Sequence, residues 1–421
     1  MLDASAPRFV FGFAPREISA LVNHPVVSEH ASEAAFLWTL HRQAVRAPHY
    51  TLDQLARLDE RLLAHLAGLQ VAGAAGARAA FDGLGGGEAG ALFVASHLAF
   101  ERRDLDGMRH VLALAPVDPR HARAVCDALA WIPLDQIDWS LQRLQQPPLA
   151  LHRWIACAAR SAHRAHTNST LEFLLGDDDA TVRAGALQAV GEHKLGELRP
   201  LLAAALRDDD AHCRFRAATS LALMGDTEAA RTAFETGLAS AELCDEAIQV
   251  GMRCGDPQWA REAIRVLAAD PVRRRQALQA VGALGDPATM PWLLDQCAGA
   301  QHAAVAGAAV TMLTGADLKL LDLATDAPAA AAPPDAADEH LPWPDAARVV
   351  AWWQAQAPRF APGQRHLGGA PVSVAGAVQV LRTGFQRQRA AAAIELARLD
   401  AAQPLFAVGG RADWQLRRFP A

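Results

Sequence analysis

His163 and His166 stand three residues apart, a spacing at which two imidazoles on one helical turn can share a metal ion. No third ligand lies at useful spacing, so the pair reads as solvated surface histidines and no metal is expected. The acidic runs Asp177-Asp178-Asp179 and Asp208-Asp209-Asp210 have the residue type for cation binding. Their place at helix starts favours another task, because an aspartate side chain there accepts from free backbone N–H groups. Arg273-Arg274-Arg275 opens a helical stretch and reads as a solvated face. The sequence contains no Gly-x-x-x-x-Gly-Lys phosphate loop, no Gly-x-Ser-x-Gly elbow and no His-Glu-x-x-His zinc helix. The chain therefore reads as a non-enzyme without a cofactor. Cys126, Cys157, Cys213, Cys244, Cys254 and Cys297 form no Cys-x-x-Cys pair. They sit in apolar stretches and read as buried free thiols of a reducing cytoplasm.

Two other groupings suit recognition better than catalysis. Trp352 and Trp353 are adjacent on a helix, so their rings point about 100° apart; both pack against a neighbouring helix, or one packs while the other meets a partner. Arg382, Arg387 and Arg389 cluster with Gln386 and Gln388, and read as a solvated helix surface or as a site for an acidic partner or an acidic face of the same chain.

These residues need elements to hold them, and the strongest structural signal is a repeat. Gly225-Asp226, Gly255-Asp256 and Gly285-Asp286 are each 30 residues apart, and Gly315 follows after another 30. A glycine in left-handed conformation ends one helix, and the aspartate after it caps the next. Pro257 and Pro287 then take the first helical position, where no amide donor is needed. Asp178 and Asp209 are 31 apart, as are Arg183 and Arg214. Apolar residues follow helical spacing around these turns, as in Ala277, Leu278, Val281 and Leu284. A fixed period of this length marks stacked helix pairs. Weaker copies extend upstream, giving about seven or eight units from roughly residue 90 to 321. The expected fold is an all-α solenoid of HEAT-type helix pairs with helical N- and C-terminal capping parts.

Residues 1–88 form an N-terminal helical region, in which Thr51 and Gln54 have capping-box spacing. Leu52, Leu55, Leu58, Leu62, Leu66 and Leu69 make its apolar stripe, and Asp53, Arg57, Asp59, Glu60 and Arg61 its polar face. The glycines of 83–90 suggest a flexible join, and 89–323 is the solenoid. Residues 324–344 read as an Ala/Pro-rich linker, and 345–421 as a C-terminal helical region with helices near 345–356, 374–384 and 386–399.

The net charge is −6, and it is uneven. Residues 341–421 hold ten arginines and four acids, whereas 1–340 hold 30 basic and 42 acidic groups, so the basic C-terminal part is suited to dock on an acidic surface, of this protein or of another. An acidic body is a poor partner for nucleic acid or anionic lipid. The only lysines are Lys194 and Lys319, which reads as the codon usage of a GC-rich genome. No secretory signal and no membrane span is visible, so a cytoplasmic protein is expected.

The segments Pro48-His49-Tyr50-Thr51-Leu52, Leu58-Asp59-Glu60-Arg61-Leu62 and Ala64-His65-Leu66, with Gly68-Leu69, resemble the N-terminal signature of a proteobacterial family of HEAT-repeat proteins. Trp352-Trp353, Arg359-Phe360, Pro362-Gly363, Arg365, Gly368, Leu381-Arg382-Thr383-Gly384 and Gln386-Arg387-Gln388-Arg389 resemble its C-terminal block. That family has no assigned activity, and its genes often stand beside type VI secretion components. The resemblance implies an adaptor or chaperone-like accessory that binds a secretion-system component or effector. His49, Tyr50, Asp59, Arg61, Trp352, Trp353, Arg382, Arg387 and Arg389 are the interface candidates. An enzyme of the bilin-lyase type, which shares short HEAT repeats, is the alternative, and a nucleic-acid-binding solenoid a more distant one.

Overall fold

The structure, a computed structural model, describes residues 22–146, 148–328 and 335–419. The start of the N-terminal region and part of the expected linker lie outside them. The described chain is helical almost throughout, with two short strand pairs. The described residues divide into two compact units, those of 22–39 with 60–132, and those of 40–59 with 133–419.

In the first unit, the helix Ala89–Glu101 packs on Pro119–Trp131. Phe93 stacks on Trp38 with ring centroids 5.2 Å apart and meets Trp131 edge-on at 5.8 Å. The glycines expected to form a flexible join are instead partly structural. Gly83–Gly86 is a 3-10 turn, and Gly90 is buried inside a helix, against the backbone of Ala35, where a Cβ would not fit.

The second unit carries the strongest part of the repeat. Helices Ala180–His193, Ala211–Leu223, Cys244–Cys254, Arg274–Leu284 and Ala303–Thr314 pack in succession. The partners Asn168–Leu175, Arg199–Ala205, Thr227–Ala239, Pro257–Ala269 and Met290–Cys297 form the other layer. Apolar side chains between the layers, including Phe215, Phe234, Ile248, Leu278 and Val310, are buried in one cluster. The turns follow the expected chemistry. Asp226, Asp256 and Asp286 each accept from a backbone N–H two or three residues on. Gly225, Gly285 and Gly315 have φ of 92°, 69° and 74°. Gly255 departs from the expectation, with φ of −70°. Its lack of a Cβ serves packing instead, since the Trp259 ring would lie 2.9 Å from that atom.

The acidic triplets do more than cap. Asp179 and Asp210 take the capping role. Asp177 accepts from Arg153 at 2.6 and 2.8 Å, and Asp208 from Arg183 at 3.0 and 2.9 Å. Arg183 also donates to the carbonyls of Asp177 and Asp178, and Arg214 to those of Asp208 and Asp209. Arg153 and Arg183 thus stitch one repeat to the next, while Arg214 braces the turn before its own helix. The Arg153 guanidinium holds the carboxyl of Asp177, and that of Arg183 the carboxyl of Asp208, below the ordinary 3.8. A carboxyl lowered in the folded state contributes fully above its unfolded pKa, and that contribution fades as pH falls through the folded value. Arg183→Gln is expected to cost about 1 kcal/mol at neutral pH and to flatten the loss of stability below pH ~4. Urea denaturation at pH 7 and pH 3 checks this; equal loss at both would show that the pair carries no linked proton.

Two further expectations are corrected. Arg273, Arg274 and Arg275 are not a solvated face: they donate to the Leu238 carbonyl, to Gln296 and to Asp338. The 324–344 segment is not a plain linker. Ala324–Thr325 pairs antiparallel with Trp343–Pro344, and Asp335 and Asp338 both hold Arg275.

Candidate functional site

An α-helix leaves its last carbonyls without intrahelical partners and carries partial negative charge there. In the second unit these ends recur once per repeat, and the C-terminal region, with Lys194 of the repeats, covers them in series. Leu405 N–H donates to Glu192 O at 2.8 Å. Lys194, whose ammonium burial pushes down from its usual pKa, donates to Leu223 O and to Ala397 O. Arg365 donates to Arg253 O at 3.1 Å and to Leu284 O at 2.7 Å. The N–H groups of His366, Gly368 and Gly369 donate to Gly285 O, Met312 O and Leu313 O. The helix Gln386–Leu399 packs on Ala211–Leu223 and Cys244–Cys254. The positive C-terminal region therefore docks on its own chain, the intramolecular option the charge asymmetry left open.

The two end blocks that carry the family resemblance meet in this unit. Tyr50 O accepts from Gln386 N–H at 2.8 Å. Arg387 donates to Arg46 O at 3.1 Å and to Ala337 O. Thr51 and Gln54 close the expected capping box. Asp59, placed on the polar face by its spacing, is 1 % exposed. Its carboxylate binds His41 at 2.6 Å and the Ala412 N–H at 2.8 Å. Arg389 is 0 % exposed and donates to Leu381 O, Gln386 Oε1 and Gln415 Oε1 at 2.6, 2.8 and 2.5 Å. Burial pushes its guanidinium down to about 10. Asp59 and Arg389 are thus internal ties, and their assignment as contact residues for a partner is corrected. Trp352 and Trp353 are half-buried against the core, with Trp353 5.2 Å from the Phe360 ring. His49 and Arg382 remain exposed. Arg61, also exposed, belongs to the first unit.

Between the repeat helices, the C-terminal region and residues 45–54 lies a cavity of about 910 Å³. Leu223, Val250, Val305, Met312 and Ile394 contribute apolar walls. Polar lining comes from Asp245, Glu246, Arg253, Arg275, Asp338 and His340. His49, also on the lining, has its ring 5.5 Å from His340, and burial followed by the His340 charge lowers its pKa below 6.5. Sequence spacing gave no sign of Arg253, which is 2 % exposed between Met252 and Cys254.

The histidines first considered for a metal separate. His163 faces Trp414, with ring centroids 5.7 Å apart. His166 is not solvated: it lies 3.0 Å from Cys157 O and from Ser161 Oγ, and burial pushes its pKa down to about 3. Among the described residues no group of three or more His, Cys, Asp or Glu is arranged to hold a metal ion. All six cysteines are buried, and none is in a disulfide. No helix among the described residues is long and apolar enough to cross a membrane.

Residues 167–250 match the family model for HEAT repeats, the stretch in which the arginine ties join successive pairs. No curated protein matches the chain.

Proposed function

We propose that this chain is a protein-binding scaffold, an adaptor or chaperone-like accessory whose partner is a type VI secretion component or its effector. The stack of HEAT pairs carries this reading, because such arrays present extended surfaces to macromolecules. The family resemblance of the two end blocks supplies the secretion context. Since Arg389 is internal, reversing its charge tests folding rather than contact. The contact surface is better sought on Val374–Thr383, where Val374, Val378 and Arg382 are exposed at four-residue spacing, on one helical face. Val378→Glu with Arg382→Glu is expected to reduce partner capture about tenfold with unchanged helicity. The measurement is affinity purification and mass spectrometry from cells expressing type VI genes. Recovery of no secretion protein by the unaltered chain would sink the reading.

The cavity favours a second reading, an enzyme of the bilin-lyase type, because Arg, Asp and His side chains line one open cleft. Mixing the purified chain with a bilin tests it by absorbance, and an unchanged spectrum would remove it.

A further inference from the structure

Two imidazoles meet across neighbouring helices in the first unit. His30 belongs to the helix His24–Ala44 and His65 to Leu52–Val71. Their Nδ1 atoms are 3.0 Å apart, with ring centroids at 5.0 Å, and both residues are half-buried. An imidazole pair at this distance shares one hydrogen, since one Nδ1 donates and the other accepts. Burial, followed by the neighbouring His30, holds His65 below 6.5, so the ring is neutral at pH 7, the form that binds metal. The His30 ring has a seat made for it. Gly68 stands one turn after His65, and a Cβ there would lie between 2.9 and 3.1 Å from three atoms of that ring. Besides His30, the charges that reach His65 are those of Glu29, Glu33 and Arg61. Two carboxylates against one guanidinium leave these surroundings net negative, which favours a cation.

Two nitrogen ligands, each about 2.0–2.1 Å from one metal ion, lie about 2.8–3.4 Å apart when the angle between them is roughly 90–109°. The observed 3.0 Å falls within that interval. We propose that His30 and His65 bind one divalent cation of the zinc, nickel or copper class, with water in the remaining positions. Imidazole nitrogen selects these ions over magnesium and calcium, which take oxygen ligands. On binding, the ring that carries the shared hydrogen on Nδ1 takes it on Nε2 instead, so both Nδ1 lone pairs face the ion. The ion then clips two helices of the first unit together. This site is separate from partner binding, and neither depends on the other.

The test strips the full chain with a chelator and titrates it with zinc, nickel and magnesium chlorides against a chromophoric competitor. Zinc and nickel are expected to bind, and magnesium not. His30→Ala and His65→Ala are each expected to weaken the tightest zinc binding about tenfold or more, with helicity unchanged by circular dichroism. Gly68→Ala keeps both imidazoles but displaces the His30 ring, and is expected to weaken binding by about tenfold. The chain has sixteen histidines, so electron paramagnetic resonance with one equivalent of copper locates the ion. Two imidazole nitrogens are expected in the unaltered chain and one in His65→Ala. If a variant does not fold, the copper spectrum of the unaltered chain decides. Absence of zinc and nickel binding, undiminished binding by any of the three variants, or fewer than two nitrogens in the unaltered chain would overturn the proposal.

Discussion

Gly315→Ala is expected to lower stability by about 3 kcal/mol, and Gly285→Ala by a similar amount, whereas Gly225→Ala costs about 1 kcal/mol. All three glycines have positive φ, so alanine meets the same left-handed strain at each, roughly 1–2 kcal/mol. Their surroundings differ. A Cβ at Gly225 meets nothing within 4 Å, but at Gly315 it lies 2.5 Å from Gly368 O, and at Gly285 it collides with His366 O. Relieving those collisions pushes residues 366–369 off the helix ends and breaks the hydrogen bonds to Gly285, Met312 and Leu313. Overpacking adds about 1–3 kcal/mol. Urea midpoints measure the difference, and cleavage by a protease within 360–372 reports release of the segment. Equal shifts for the three variants would mean that the C-terminal region does not rest on these turns.

Arg389→Ala is the second large effect, about 3 kcal/mol. It leaves Leu381 O, Gln386 Oε1 and Gln415 Oε1 without their donor at a fully buried site, and each unmet group costs about 1–3 kcal/mol. Removal of a buried charge returns part of that, so the sum stays well below three full penalties. Arg389→Met keeps most of the volume and is expected to cost less, about 1–2 kcal/mol. Arg382→Ala, at an exposed position on the preceding helix, is expected to change stability by less than about 0.5 kcal/mol. Thermal or urea denaturation of the three variants checks the order. An Arg389→Ala protein as stable as Arg382→Ala would show that the three acceptors are satisfied without the guanidinium.

The repeat was legible because its signals are local. Gly285 and Asp286 stop and start helices through their own backbone and side chain, and the leucine stripe from Leu52 to Leu69 is buried as its spacing predicts. The helix Gln386–Leu399 also falls where expected. What spacing could not show is the second use of those turns. Arg365 and the backbone of residues 366–369 bond to carbonyls far away in sequence, and a backbone donor leaves no mark in residue type. Asp59 and Arg389 were misplaced for the same reason. Local pattern puts a charged side chain on a polar face, whereas Ala412 N–H and Gln415, distant in sequence, bury them. Charge asymmetry was the one sequence signal that pointed to the docked C-terminal region, and it named no contact.

The bonds from Arg387 to Arg46 and from Ala412 to Asp59 join positions 341 and 353 residues apart. Helix-pair arrays otherwise mature unit by unit as each emerges from the ribosome. At about 5–20 residues per second, the early segment here waits roughly 17–70 s for its partner to be made. Throughout that interval the nascent chain exposes a seam that only late synthesis can close. Slowing elongation after residue 320 would prolong that vulnerable period, and with it the opportunity for chaperone capture or degradation.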